Sequence, residues 1–219
     1  MHRLQTRFST PTTVTVVFRK LAIVILACHC LLITPWIERP LAAQSPIVQE
    51  KEVIKAAYLR NALNFARWPN RTFPSPATHF QLGIAGETPE MEASLRLAFE
   101  QLNHRIQNRK VILRKFKNAG ELLEALKSKG GRACNALFIP TSEKENFQKW
   151  IQAAQNHAIL LISDDPDFID QGGTTSLTPN PDVPNRYIYN IHIKRLRAAQ
   201  IHFTTEFLRI RSAVRTISK

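Results

Sequence analysis

The sequence predicts an α/β protein: a single three-layer domain in which a mixed, mostly parallel sheet is flanked by helices. Two patterns lead there. Between residues 80 and 162, short apolar runs of strand length alternate with helical patterns, the rhythm of strand-helix units that build a parallel sheet covered on both faces. Beyond Ile162, the strand-like runs "TTSLTP" and "NRYIYNIHI" are joined only by the turn "PNPDVP". A parallel crossover needs about a dozen residues, so this pair is antiparallel and the sheet is mixed. No internal repeat points to a solenoid.

The first 43 residues stand apart from that fold. Arg3, Arg7, Arg19 and Lys20 precede the apolar run "LAIVILACHCLLI", and "TPWIERPLAAQ" follows it. This is the order of a secretory signal peptide over residues 1–43, with cleavage after Ala43 and export. The apolar run is shorter than the roughly 17–25 residues of a membrane span, and an uncleaved N-terminal anchor is the alternative. Residues 44–219 form the expected domain, 176 residues long and enough for a real core.

That domain carries 25 Lys and Arg against 16 Asp and Glu, a formal charge of +9. Such a balance attracts acidic proteins or anionic headgroups. The positive residues are scattered along helices without the basic-aromatic blocks of a nucleic-acid groove, so no nucleic-acid partner is expected. Cys134 is the single cysteine after Ala43; an internal disulfide is then impossible, and its place before the apolar run "NALFIP" suits a partly buried, inert thiol.

The elements follow in order. "VIKAAYLRNALNFARWP", residues 53–69, is an amphipathic helix stopped by a Trp-Pro corner. Ile54, Tyr58, Ala62 and Phe65 share one face, Leu59, Leu63 and Ala66 broaden it, and Arg60, Asn64 and Arg67 lie opposite. So wide an apolar arc exceeds one sheet-facing stripe: either the helix is wedged between the sheet and a C-terminal helix, or it contacts a partner. A Pro- and Ser-rich loop, residues 70–79, leads to strands at Phe80–Ala85, Lys110–Phe116, Asn135–Ile139 and Ala158–Ile162. Helices fill the gaps at Pro89–Asn103, Ala119–Lys129 and Glu143–Gln155. Thr88 before Pro89 reads as an N-cap, and Asn118 with Glu121 and Ser142 with Glu145 have capping-box spacing. The last helix presents Phe147, Trp150, Ile151 and Ala154 on one face. The tail from Lys194 onward is expected to be helical.

Catalytic motifs are missing from this pattern. His79, His104, His157, His192 and His202 make no metal-ligand pair, and no metal or cofactor is expected. "GIAGE" lacks the glycines of a dinucleotide fingerprint and the Lys-Ser/Thr of a triphosphate loop; a strand ending in a tight turn is the plainer reading. Asp164, Asp165 and Asp167 read as turn and cap residues, and neither Ser142 nor Ser163 sits in a nucleophile elbow. A hydrolase using Asp164 and a distant histidine is the weakest reading. A small ligand at the C-terminal edge of the sheet is allowed, with Gly86, Glu87, Thr88, Thr141, Ser142, Ser163, Asp164 and Asp165 as candidate ligand loops.

"EVIKAAYLRNALNFARWP", "FQLGIAGE", "CNALFIPTSE", "AILLISDDPDFIDQGG" and "RYIYNIHIKRLRAAQIHFTTEFLRIRSAV" together resemble the YfiR family of small exported proteins over roughly residues 50–217. The resemblance implies a non-enzymatic periplasmic regulator that binds the periplasmic sensor part of an inner-membrane signalling protein, a diguanylate cyclase or a histidine kinase. Repression of a cyclase, and with it of cyclic di-GMP output and biofilm formation, is the family picture, as are homodimers. The family's disulfide-linked redox behaviour does not carry over, because Cys134 has no partner in its own chain. Tyr58, Leu59, Leu63, Phe65 and Trp68, with Phe203, Phe207 and Leu208, are the candidate partner-binding residues. A periplasmic ligand-binding module serving a sensor kinase is the alternative.

Overall fold

The twenty-residue helix α1 (Pro46–Phe65) opens the part of the chain that the computed structural model describes, residues 46–218; the expected export segment lies outside the described residues. Its most buried apolar stripe, Ala56, Leu59, Ala62 and Leu63, follows the three-and-four spacing by which a helix packs on a sheet. The chain then extends into the two-residue strand β1 (Ala66–Arg67), and the Trp68-Pro69 corner turns it toward the sheet. There the Trp68 indole donates to the Asn135 carbonyl at 3.0 Å and packs edge-on against Phe80. The corner is an internal strut.

Strand-helix alternation builds the centre: β2 (Phe80–Ala85), α2 (Pro89–Arg96), β3 (Arg105–Ile106), β4 (Arg109–Phe116), α3 (Ala119–Ser128), β5 (Ala136–Ile139), α4 (Phe147–Ala154), β6 (Leu160–Ser163) and β7 (Thr175–Pro179). β8 (Tyr187–His192) closes an antiparallel hairpin with β7, as the short turn requires. The eight-stranded order is β10-β8-β7-β6-β5-β2-β4-β3, with β10 (Val214–Ile217) parallel to β8. The five strands β4-β2-β5-β6-β7 are mutually parallel, and all four residues of β5 and of β6 are buried. Apolar runs without alternation have this cause: both faces of the strand are covered.

Two hydrophobic cores sandwich the sheet. One joins α1 and α2 to Leu82, Ile84, Phe138 and Ile162 of the sheet, and to Leu196, Phe203 and Phe207 of the C-terminal segment. The other joins α3 and α4 to Phe116, Leu137, Ile139 and Leu161. Alternate residues of a strand face opposite sides, so Phe138 serves the first core and Leu137 the second.

Capping chemistry holds in one of three places. The Asn118 side chain accepts from Glu121 N at 3.0 Å while Glu121 reaches back to Lys117 N at 2.8 Å. Thr88 precedes Pro89 but its side chain makes no cap bond. Ser142 does not start a helix either: Thr141–Asn146 is a 3-10 segment and α4 begins at Phe147. There Asp164 takes the Thr141 N–H at 2.8 Å and the Glu143 carboxylate takes the Trp150 indole at 2.9 Å.

The expected helical tail is corrected. α5 (Ile193–Ala198) is followed by β9 (His202–Phe203), α6 (Thr205–Leu208) and β10. β9 pairs with β1, Ala66 opposite Phe203, and β10 adds an edge beside β8; tertiary pairing overrides the helical pattern of "IHFTTEFLRIRSAV". A second unpredicted feature is the β3–β4 hairpin, whose turn residues Gln107 and Asn108 have φ of 51° and 63°, the left-handed pair of a type I′ turn.

Candidate functional site

The apolar residues assigned to a partner are brought together, but largely inside the chain. Leu59, Leu63, Trp68, Phe203 and Phe207 are buried, between 0% and 7% exposed, while Tyr58, Phe65 and Leu208 are half-buried. Phe65 stacks on Phe207 at 5.1 Å between centroids, and Phe207 meets Tyr189 and Phe203. The Tyr189 hydroxyl donates to the Tyr58 carbonyl at 2.8 Å, and burial raises the Tyr189 pKa, keeping the phenol neutral. Thus the wide arc of α1 is wedged between the sheet and the C-terminal segment, which consumes both of its flanks.

The candidate ligand loops lie at the opposite end of the strands from the Trp68 corner. β4-β2-β5 reverses the direction of strand order between β2 and β5, and open α/β sheets take ligands at the carboxyl ends of strands flanking such a switch point. A cavity of about 200 Å3 opens there, lined by Glu52, Lys55, Thr88, Glu90, Met91, Phe138, Pro140, Thr141, Ser142 and Asp164.

Its charged floor is Lys55, 8% exposed. The ammonium donates to Asp164 at 2.6 Å and to Glu52 at 2.7 Å. Burial disfavours the charge, but the hydrogen bonds and charges of Asp164 and Glu52 outweigh it and raise the lysine's pKa. Asp164 spends its other oxygen on the Thr141 N–H, 2.8 Å, and hydroxyl, 3.0 Å. The Thr88 hydroxyl oxygen is buried and has no hydrogen-bond partner among the described residues.

Of the eight loop residues, Thr88, Thr141, Ser142 and Asp164 line the cavity. Gly86 shapes the turn: its φ is +69° and a side chain there would strike the Glu143 carboxylate. Glu87 is exposed and ion-paired with Lys115. Ser163 accepts from Asp165 N at 3.1 Å, and Asp165 caps the next turn through Asp167 N at 2.8 Å, which is the structural role expected of this cluster. Glu52 and Lys55 were missed as site residues. Their signal was a lysine four residues before Leu59, on the stripe that α1 buries most deeply, where a charge requires a partner.

Among the described residues no group of three His, Cys, Asp or Glu is placed to hold a metal ion, and no helix is long and apolar enough to cross a membrane. Cys134 is buried and unpaired; burial pushes its thiol up to about 12, which keeps it protonated and unreactive.

Comparison with known proteins adds four findings. A conserved domain protein from Vibrio cholerae O1 biovar eltor str. N16961 superposes with a TM-score of 0.47 and 10% identity, over 76% of this chain and 60% of that one. An ABC domain in complex with L-Trp, from Streptococcus pneumonia, gives 0.45 and 11%, over 63% and 55%. The ribonucleoside-diphosphate reductase large subunit of Invertebrate iridescent virus 3 is 36% identical over 56 residues, 26% of this chain and only 9% of that protein. The profile of the YfiR/HmsC-like family matches residues 52–211, from the first turns of α1 to beyond α6, and the chain belongs to that family of non-enzymatic periplasmic regulators.

Proposed function

We propose that this periplasmic regulator binds the periplasmic sensor region of an inner-membrane diguanylate cyclase and represses its output, lowering cyclic di-GMP and biofilm formation. Family membership over residues 52–211 is the observation that carries the reading. Export through cleavage after Ala43 and homodimerisation belong to the same proposal. To repress, the protein must bind the signalling-off state of its receptor more tightly than the on state; equal affinity for both would change nothing.

The contact we propose is the seam between α1 and the C-terminal segment, where Tyr58, Phe65 and Leu208 are half-buried. Leu59, Leu63, Trp68, Phe203 and Phe207 would support that seam from beneath. Crosslinking in the native envelope, followed by mass spectrometry of the captured protein, tests the reading. A membrane cyclase captured by the wild type and lost on Leu208→Glu supports both the receptor and the seam. Absence of any membrane signalling protein across growth conditions defeats it.

One observation favours a second reading, a ligand-binding module serving a sensor kinase. The switch-point cavity contains a buried hydroxyl, Thr88, with no partner among the described residues, beside a lysine held by two carboxylates. Mass spectrometry of the protein under native conditions should then show a retained small molecule that Thr141→Val and Asp164→Asn release.

A further inference from the structure

A second cleft, of about 300 Å3, opens at the other end of the sheet between the turn after Trp68, the turn before β5 and the turn before β6. Its polar side chains are basic or neutral. Arg71, Arg132, His157, Asn156 and Thr72 line it and no carboxylate does. Arg71 donates to Gln200, whereas the side chains of Arg132, Asn156 and His157 have no hydrogen-bond or ion-pair partner among the described residues. Arg71 and Arg132 are both exposed, so an anion entering the cleft meets two guanidinium groups and no competing carboxylate. Arg96 pairs with Glu92 and Glu100, Lys115 with Glu87 and Lys144 with Asp167; this cleft offers its arginines no such acid.

The backbone forms the cleft through unusual conformations. Gly131 has φ of +80° and Asn156 has φ of +65°. A side-chain carbon at Gly131 would come within 3.1 Å of the His157 ring, so glycine there permits both the left-handed turn and the close approach of the two loops. Left-handed residues other than glycine are uncommon, and Asn156 places its amide at the cleft.

We propose that this cleft binds a phosphate monoester. Planar guanidinium forks match phosphate oxygens two at a time, and the volume accommodates a phosphate together with part of what it is esterified to. The inference does not rest on the receptor reading, whose proposed contact is the seam around Tyr58, Phe65 and Leu208 and includes none of the residues lining this cleft. A phosphate monoester could be soluble or a lipid headgroup, and two probes distinguish them: phenyl phosphate in isothermal titration calorimetry, and phosphatidic acid against phosphatidylcholine vesicles in sedimentation.

The purified protein should bind one of the two phosphate probes. Arg71→Gln and Arg132→Gln should each weaken it about tenfold, and Arg132→Lys, which keeps the charge but not the fork, should also weaken it. Lys194→Gln and Arg215→Gln, at exposed cations elsewhere, should change it less than about twofold. An unchanged thermal midpoint shows that each variant is folded. Binding of phenyl phosphate identifies a soluble ester; binding of phosphatidic acid vesicles alone identifies a headgroup. No binding of either probe, undiminished binding by Arg71→Gln and Arg132→Gln, or equal weakening by Lys194→Gln and Arg215→Gln would overturn the proposal.

Discussion

Lys55 shows how one residue joins fold and site. It occupies the buried stripe of α1, where an unpaired charge is costly, and Asp164 and Glu52 satisfy it at 2.6 and 2.7 Å. Lys55→Met should destabilise the protein by about 2–3 kcal/mol, because two largely buried carboxylates lose their cation. The sign of the pH dependence follows from a folded pKa raised above 10.5. The stabilisation from this lysine is fully present below 10.5, where the ammonium is charged in both states, and is lost as pH rises through the higher folded value. Urea titrations of wild type and variant at pH 7, 9 and 11 check this: the gap should persist from 7 to 9 and narrow by 11. At Cys134 the same scale excludes a function, since a buried thiol pushed up to about 12 gives no thiolate for a redox switch.

At the scale of elements, α1 and the C-terminal segment form one structural unit. Leu63 is 0% exposed, so Leu63→Asp should cost about 4 kcal/mol or more and abolish the cooperative thermal transition. Val53→Asp, at an exposed position of the same helix, should stay within about 0.5 kcal/mol of wild type. A folded Leu63→Asp variant with a wild-type thermal midpoint would contradict the wedge. β10 lies beyond the residues matched by the family. Deleting residues 212–219 removes its pairing with β8 and the burial of Val214, and should cost about 2–4 kcal/mol by the midpoint of urea unfolding. It also bares the edge of β8, so the truncated protein should aggregate more readily in light scattering.

For the whole molecule, the two ends of the sheet carry different chemistry. The carboxyl ends of β2, β5 and β6 enclose an acid-rich cavity around Lys55, while the amino ends of β5 and β6 adjoin a cleft with two arginines and no acid. The strand order that creates the first lies wholly within residues 52–211, the span of the family match. Export is the remaining whole-chain expectation: mass spectrometry of protein isolated from cells should give a mature N-terminus near Gln44, and a full-length chain in the cytosol would refute it.

The central alternation was legible because each element carried its own local signal: apolar runs at Phe80–Ala85 and Ala136–Ile139, the Asn118–Glu121 box, the aromatic face of α4. The family was legible too, because its segments are contiguous in sequence. Half of the ligand-loop residues proved to line the cavity, since loops at strand ends are placed by topology. What remained hidden depended on distant pairing. β9 is only two residues long and β10, Val-Arg-Thr-Ile, has no apolar run; both form because β1 and β8 offer open edges. Likewise an apolar arc signals burial without specifying the covering surface. Only the tertiary structure decided that Phe203 and Phe207, more than 130 residues beyond Phe65, cover α1, and that Arg71, Arg132 and His157 meet in one cleft.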